Sequence, residues 1–426
     1  MTLNAKRQKA HTKLAALPGV QSVRRPVTPT GERAFDLYYV RTGEKAAHPL
    51  VIIPGGPGMA SVQTYKGLRR RAADQGLDVL MVEHRGIGLS RHDDAGADLP
   101  PEAITVDQVV DDVAAVLDDA GVGKAVIYGT SYGSYLAAGV GVRHPDRVQA
   151  MVLDSPVLSA QDIDAVREAV RGLLLDGGDP DTEDLAPKIR RLVDDGVLTS
   201  DASEIISLIY GYGGASLLHR QLDLLLEGRT LLWRVLDELN KFTVRKAPYR
   251  NEVDLVGRIA FRELDFVGQP DGLPLDPSPA LALMADEMAG PAPSFEAEPY
   301  DLAASMPSFT WPTVVISGGR DLTTPPALAE KVAALVPDSV LVRMPTAAHS
   351  MLDTRERAAL EVAKTAVGGD VHDLATRGDE LDALPANLEI RALVGAITAA
   401  TAVESVVPPL SSKSPPAKTK RGEPTS

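Results

Sequence analysis

Cysteine is missing from all 426 residues. That absence excludes disulfides, thiolate nucleophiles and cysteine–zinc sites, and it fits a cytoplasmic protein. Basic charge is in short supply: 44 Lys and Arg face 58 Asp and Glu, a formal net charge of −14. Such a balance argues against nucleic acid and anionic membranes as partners. Long apolar runs are lacking too. No stretch offers about 18 uncharged apolar residues, so no membrane span is expected. The basic N-terminus, MTLNAKRQKAHTKLAALPGV, has too short an apolar run for a signal-peptide core. There is no H-E-x-x-H and no cluster of metal-ligating residues, so neither metal nor cofactor is expected. GVGKA at 121–125 lacks the remaining residues of a phosphate loop. No internal repeat is visible.

What is present is ample apolar material, at 44% of the chain. The length exceeds what one core usually holds, which predicts a core plus a second unit or a large insertion. Short apolar runs end in turns: PLVIIPGGPG (49–58), LDVLMVEHRG (77–86), KAVIYGTSYG (124–133) and VQAMVLDSP (148–156). AFDLYYV (34–40) alternates like an antiparallel strand. Between them lie helical patterns such as TVDQVVDDVAAVLDDAG (105–121), closed by glycine. Alternating strands and helices predict a mostly parallel sheet covered on both faces. The pattern breaks from 161 to 305, which reads as mainly helical with Gly/Pro/Asp punctuation, and resumes with WPTVVISGGRDLTTPP (311–326) and SVLVRMPTAAHS (339–350). The expected division is a core over 1–160 and 306–405, a helical cap over 161–305, and a disordered tail over 406–426. ALVGAITAATAVESVV, near 392–407, reads as a packed helix, and YGYGG (210–214) as a cap loop.

YGTSYGS (128–134) contains G-x-S-x-G, with Ser131 at its centre. A serine hydroxyl is a weak nucleophile unless a base takes its proton and an acid orients that base. The strand–turn–helix around this pattern is the context such an elbow needs, and flanking glycines relieve its crowding. Asp321 and His349 each follow a strand, 28 residues apart. Their order, Ser then Asp then His, is that of an α/β-hydrolase. Asp321 could instead cap the helix that follows it, Asp154 is a rival acid at the preceding strand end, and His349 could be a surface histidine. His84 reads as structural. PGGPG (54–58) brings glycine N–H groups near a substrate carbonyl. One oxyanion donor is therefore assigned to Gly55 or Gly56, with Gly56 favoured, and the other to the N–H of Tyr132.

PGGPG, EHRGIGLS, GTSYGS, GGRDLTTP and AAH, in that order, resemble the proline iminopeptidase family of α/β-hydrolases, in the large-cap branch related to bacterial tripeptidyl aminopeptidases. The resemblance covers about 34–160 and 306–365. It implies an eight-stranded, mostly parallel sheet flanked by helices, with the helical cap inserted after the sixth strand. It maps nucleophile, acid and base onto Ser131, Asp321 and His349, and oxyanion donors onto Gly55/Gly56 and Tyr132. The chain departs from the family at Pro54, where histidine is usual, at Glu83-His84 in place of Asp-Gln, and at Tyr132 in place of tryptophan. These departures leave the triad whole and bear on specificity for proline. The family also implies cap carboxylates that grip a substrate ammonium, which points to Glu263, with Asp265 as the alternative and a solvated helix charge as the plain reading of either. The activity implied is an aminopeptidase working on short peptides through an acyl-enzyme. An esterase or amidase with the same machinery is the alternative, and a silent binding protein on this frame is a third.

Overall fold

The computed structural model describes residues 5–407 apart from 200–201, 244, 267 and 289. Eight strands form one sheet: β1 (Val20–Pro26), β2 (Ala34–Thr42), β3 (Leu50–Ile53), β4 (Val79–Val82), β5 (Ala125–Thr130), β6 (Val148–Asp154), β7 (Thr313–Gly318) and β8 (Ser339–Met344). Their spatial order is β1-β2-β4-β3-β5-β6-β7-β8. β2 runs antiparallel to both β1 and β4, and every other pairing is parallel. The antiparallel reading of 34–40 agrees with β2. β1 goes unmarked in the sequence because VQSVRRP is a polar edge strand, exposed at Gln21, Ser22, Arg24 and Pro26 and fully buried nowhere.

β3, β4, β5 and β7 are buried along their whole length, which is why they read as unbroken apolar runs. One core lies on each face of the sheet. The helix Val106–Asp119 covers one of them. Thr105 caps its start by accepting from Gln108 N, its apolar stripe includes Val106, Val109, Val113 and Val116, and Gly121 ends it at φ 66°. Each large side chain buried in this way contributes about 1.5–3 kcal/mol before entropy is counted.

After β6 the chain leaves the sheet and forms mainly helices, including Asp162–Leu174, Ala186–Asp194, Ala202–Leu226 and Leu231–Thr243, before it returns at β7. These helices bury an apolar cluster of their own. Residues 249–263 fasten this region to the core. Arg91 makes paired hydrogen bonds to Asp254 at 2.8 and 2.9 Å, and Glu252 accepts from Arg7 and from Gly88 N.

Two expectations about organisation need correcting. The helix Leu388–Val406 was grouped with the core, but it packs on the cap through Leu393, Val394, Ile397 and Ala400. Gln221 donates to Thr401, and Glu404 accepts the first free N–H groups of the next cap helix, from Leu231 and Leu232. Small residues along this helix let it approach the cap closely. YGYGG, expected as a loop, lies inside the helix Ala202–Leu226, which is kinked at Gly214. Of the expected tail, 408–426 lie outside the described residues. Among the described residues no helix is long and apolar enough to cross a membrane.

Candidate active site

The turn after β5 carries Ser131 with φ 53° and ψ −126°, a strained backbone for a residue with a Cβ. The glycines around it are required by contact. A Cβ on Gly129 would lie 2.1 Å from Gly133 O, and one on Gly133 would lie 2.2 Å from Ile53 O. Ser134 Oγ donates to Ser131 O at 2.6 Å and accepts from Val157 N, which ties the elbow to the loop after β6.

The three residues expected to act together meet at the ends of different strands. His349 Nε2 lies 2.9 Å from Ser131 Oγ, and His349 Nδ1 lies 2.9 Å from Asp321 Oδ2. Asp321 also accepts from Thr323 N, Thr324 N and Thr324 Oγ1. It therefore braces the turn ahead of the helix Pro326–Leu335, whose N-cap position is Pro325. With Asp321 ionised, Nδ1 carries the imidazole proton and Nε2 is free to accept from the serine hydroxyl. Burial works against charge on His349, but the Asp321 charge and hydrogen bond outweigh it and raise its pKa above 6.5. Burial alone would likewise raise Asp321, yet His349 and the backbone N–H groups hold its pKa below the usual carboxylate value.

Asp154, the rival acid, has other partners. It accepts from Tyr128 Oη, Met351 N and Leu352 N, and so orders the turn just after His349. Burial raises its pKa. Asp353, whose pKa desolvation also raises, accepts from Ser350 Oγ and Tyr65 Oη at the same turn. Both carboxyls favour a charged His349.

Gly55 closes on the serine from the opposite side: a Cβ there would lie 3.2 Å from Ser131 Cβ. Gly56 has φ 125°, where a side chain is strained, and lines the cavity beside Ser131. Tyr132 opens the helix Tyr132–Arg143, so its N–H has no partner within that helix and lies at the positive end of the helix dipole, directly after the serine. His84 is buried, and burial lowers its pKa to about 4, which makes it a neutral residue of the core. Glu83 before it accepts from Ser61 N and Val62 N and holds the chain that follows PGGPG.

A cavity of about 340 Å³ opens above Ser131 and His349. Val166, Val170, Leu208 and Phe266 give it an apolar wall, and Glu204, Tyr212 and Asn240 add polar groups from the cap. The acids expected to face this space do not line it. Glu263 is buried and accepts from Val106 N at 2.8 Å, at the start of the helix Val106–Asp119, and it pairs with Arg262. Asp265 is turned into a left-handed bend at φ 43°, where its carbonyl accepts from Gly268 N. Two cap acids line the cavity instead, Asp162, which accepts from Leu158 N and Ser159 N, and Glu204, to which Asn240 Nδ2 donates. Sequence reasoning passed over Glu204. The helical spacing of Glu204, Leu208 and Tyr212 was the available signal.

Comparison with known proteins supports this frame. A family model described as alpha/beta hydrolase fold matches residues 48–188. Proline iminopeptidase of Neisseria meningitidis serogroup A is 27% identical over 121 residues, which is 28% of this chain and 35% of that protein. The Lactobacillus helveticus proline iminopeptidase is 30% identical over 128 residues, 30% of this chain and 42% of that one. The chain thus spans well under half the length of these curated relatives. Among solved structures, proline iminopeptidase of Mycobacterium smegmatis aligns at 18% identity with TM-score 0.48, over 83% of this chain and 100% of that one. An esterase from Thermogutta terrifontis aligns at 18% identity with TM-score 0.42, over 84% and 100%. The family match runs through the strands and turns that carry Ser131, and the sheet continues the same parallel order beyond it: the chain has the alpha/beta hydrolase fold.

Proposed function

We propose that the protein is a serine hydrolase acting through Ser131, His349 and Asp321, and that it is an aminopeptidase releasing N-terminal residues from short peptides. The observation that carries this reading is the unbroken contact chain from Ser131 Oγ to His349 to Asp321, each link 2.9 Å. His349 takes the hydroxyl proton as Ser131 attacks the carbonyl carbon, and the N–H groups of Tyr132 and Gly56 (or Gly55) hold the developing oxyanion. His349 then protonates the leaving amine. Water, deprotonated in turn by His349, clears the acyl-enzyme. Asp321 keeps the ring in the working tautomer and stabilises its charged form. Glu204, with Asn240 beside it, is the group in the cavity suited to a substrate ammonium. The partial matches to proline iminopeptidases agree with peptide substrates. No metal or cofactor enters any step, and the cytoplasm fits a chain without cysteine.

An esterase or amidase is the second reading, favoured by the apolar wall of the cavity and by the engagement of Glu263 elsewhere. The deciding measurement compares kcat/KM for a free-amine aminoacyl anilide, in proline and alanine versions, with its N-acetylated twin and a short-chain nitrophenyl ester. A loss of about 100-fold on acetylation, or about 2.7 kcal/mol, supports the aminopeptidase. Equal rates for the free and acetylated anilides support an amidase, and turnover of the ester alone supports an esterase.

A further inference from the structure

Among the described residues, Arg320 is a cation without a partner, at the edge of the candidate active site. It is half-buried and lines the same cavity as Ser131 and His349. Its backbone is pinned by Arg320 N donating to Ala347 O at 2.9 Å, one residue before Asp321. Its guanidinium lies in the kink of the helix Ala202–Leu226: a Cβ on Gly214 would be 2.9 Å from Nη1 and 3.0 Å from Cζ. Among the described residues no side chain or carbonyl accepts a hydrogen bond from that guanidinium, and no carboxylate pairs with it. Neighbouring acids are committed elsewhere. Asp321 serves His349, Thr323 and Thr324, and Asp162, also in the cavity wall, accepts from Leu158 N and Ser159 N. The nearby cation Arg355 repels Arg320 rather than satisfying it. Tyr212, on the same wall, presents a hydroxyl that also has no hydrogen-bond partner among the described residues. In a chain with 14 more acidic than basic residues, an arginine fork that faces a cavity and has no partner among the described residues is suited to recognise an anion.

We infer that Arg320, assisted by the Tyr212 hydroxyl, binds the free C-terminal carboxylate of the substrate, so that the cavity selects short unblocked peptides. The inference rests on the peptide reading of the site and adds the other end of the substrate to it. Glu204 and Gly214 stand on one helix, about 15 Å apart at about 1.5 Å per residue. Opposite charges therefore mark the two ends of one cavity wall. An extended peptide covers that distance in about four residues at about 3.3–3.6 Å each. The planar guanidinium matches a carboxylate with two parallel hydrogen bonds, which an amide cannot accept in the same way.

The test measures binding and turnover separately. In the Ser131→Ala background, the Kd of trialanine and tetraalanine is measured by calorimetry against the matching C-terminal amides, with Arg320 intact, as R320Q and as R320K. The expected result is at least 10-fold tighter binding of the acids, a ratio near one in R320Q, and partial recovery of the preference in R320K. G214A, whose new Cβ displaces the guanidinium, should reduce the ratio in the same direction. A ratio near one with Arg320 intact overturns the inference. So does an R320Q protein that loses acid and amide equally, because that marks a structural role, and so does the absence of peptide binding. Turnover of the same peptides by the unmodified protein tests the peptidase reading alone. Acid-selective binding without hydrolysis removes the peptidase and keeps the carboxylate site, whereas hydrolysis without acid preference does the reverse.

Discussion

The rim of the sheet and the inner wall of the cap face each other across one cavity, and they are held in different ways. On the rim, Ser131, Asp321 and His349 follow three strands, and local hydrogen bonds fix each turn: Ser134 to the serine, Thr323 and Thr324 to the aspartate, Asp154 to the turn after the histidine. On the cap, Glu204 and Tyr212 stand on one face of a helix whose position comes from apolar packing and from the C-terminal helix laid against it. Rigid strand ends suit chemistry that tolerates little misplacement. Helix faces suit selection of substrate, since a change of side chain there reshapes the cavity without moving the reacting atoms.

This contrast can be broken or sharpened by substitution. The largest effect belongs to the rim. Ser131→Ala should lower kcat/KM on peptide and ester alike by about 10⁴–10⁶-fold, read by steady-state kinetics. Asp321→Asn should cost about 10³–10⁴-fold, again regardless of substrate. The pH profile belongs with it. His349 must be neutral to accept the serine proton and its pKa is raised, so kcat/KM should fall as pH drops through a midpoint above 6.5. Asp321→Asn removes the principal cause of that rise and should shift the midpoint down. A wild-type midpoint below 6.5 would contradict the assignment.

Cap substitutions should act on selection instead. Glu204→Gln should reduce the ratio of free-amine to N-acetylated turnover by about 10–100-fold, the size of a lost charge-assisted contact. An unchanged ratio would remove Glu204 as the ammonium anchor. The smallest effect is expected at Glu263. Glu263→Ala strips a carboxylate from the start of the helix Val106–Asp119 and should cost about 1 kcal/mol in denaturant unfolding, with the amine-to-acetyl ratio unmoved. A collapse of that ratio would restore the family-implied role of Glu263.

Legibility followed the same division. The elbow could be read because its sterics are local: glycines stand at 129 and 133 where the backbone passes within contact distance of itself. Asp321 and Asp154 were harder to separate, since each is an aspartate after a buried strand. What distinguishes them is that one meets the imidazole and the other meets Met351 N and Leu352 N, contacts made with a segment far along the chain. Glu263 and Glu204 could not be ranked at all without the fold. Both are helix-associated acids in the cap, and only the packing turns one toward Val106 N and the other toward the cavity.

Residue order alone thus dictates the buried strands, their turns, the sharp bend at Ser131 and the exclusion of thiol chemistry, because these depend on side-chain type and on neighbours a few residues away; the exposed edge strand β1 is set by its pairing with β2. Tertiary packing decides the facing of the cap helices, the return of Leu388–Val406 to the cap, and the company Arg320 keeps. A helix presents every side of itself in sequence, and which side is buried depends on what the rest of the chain brings against it.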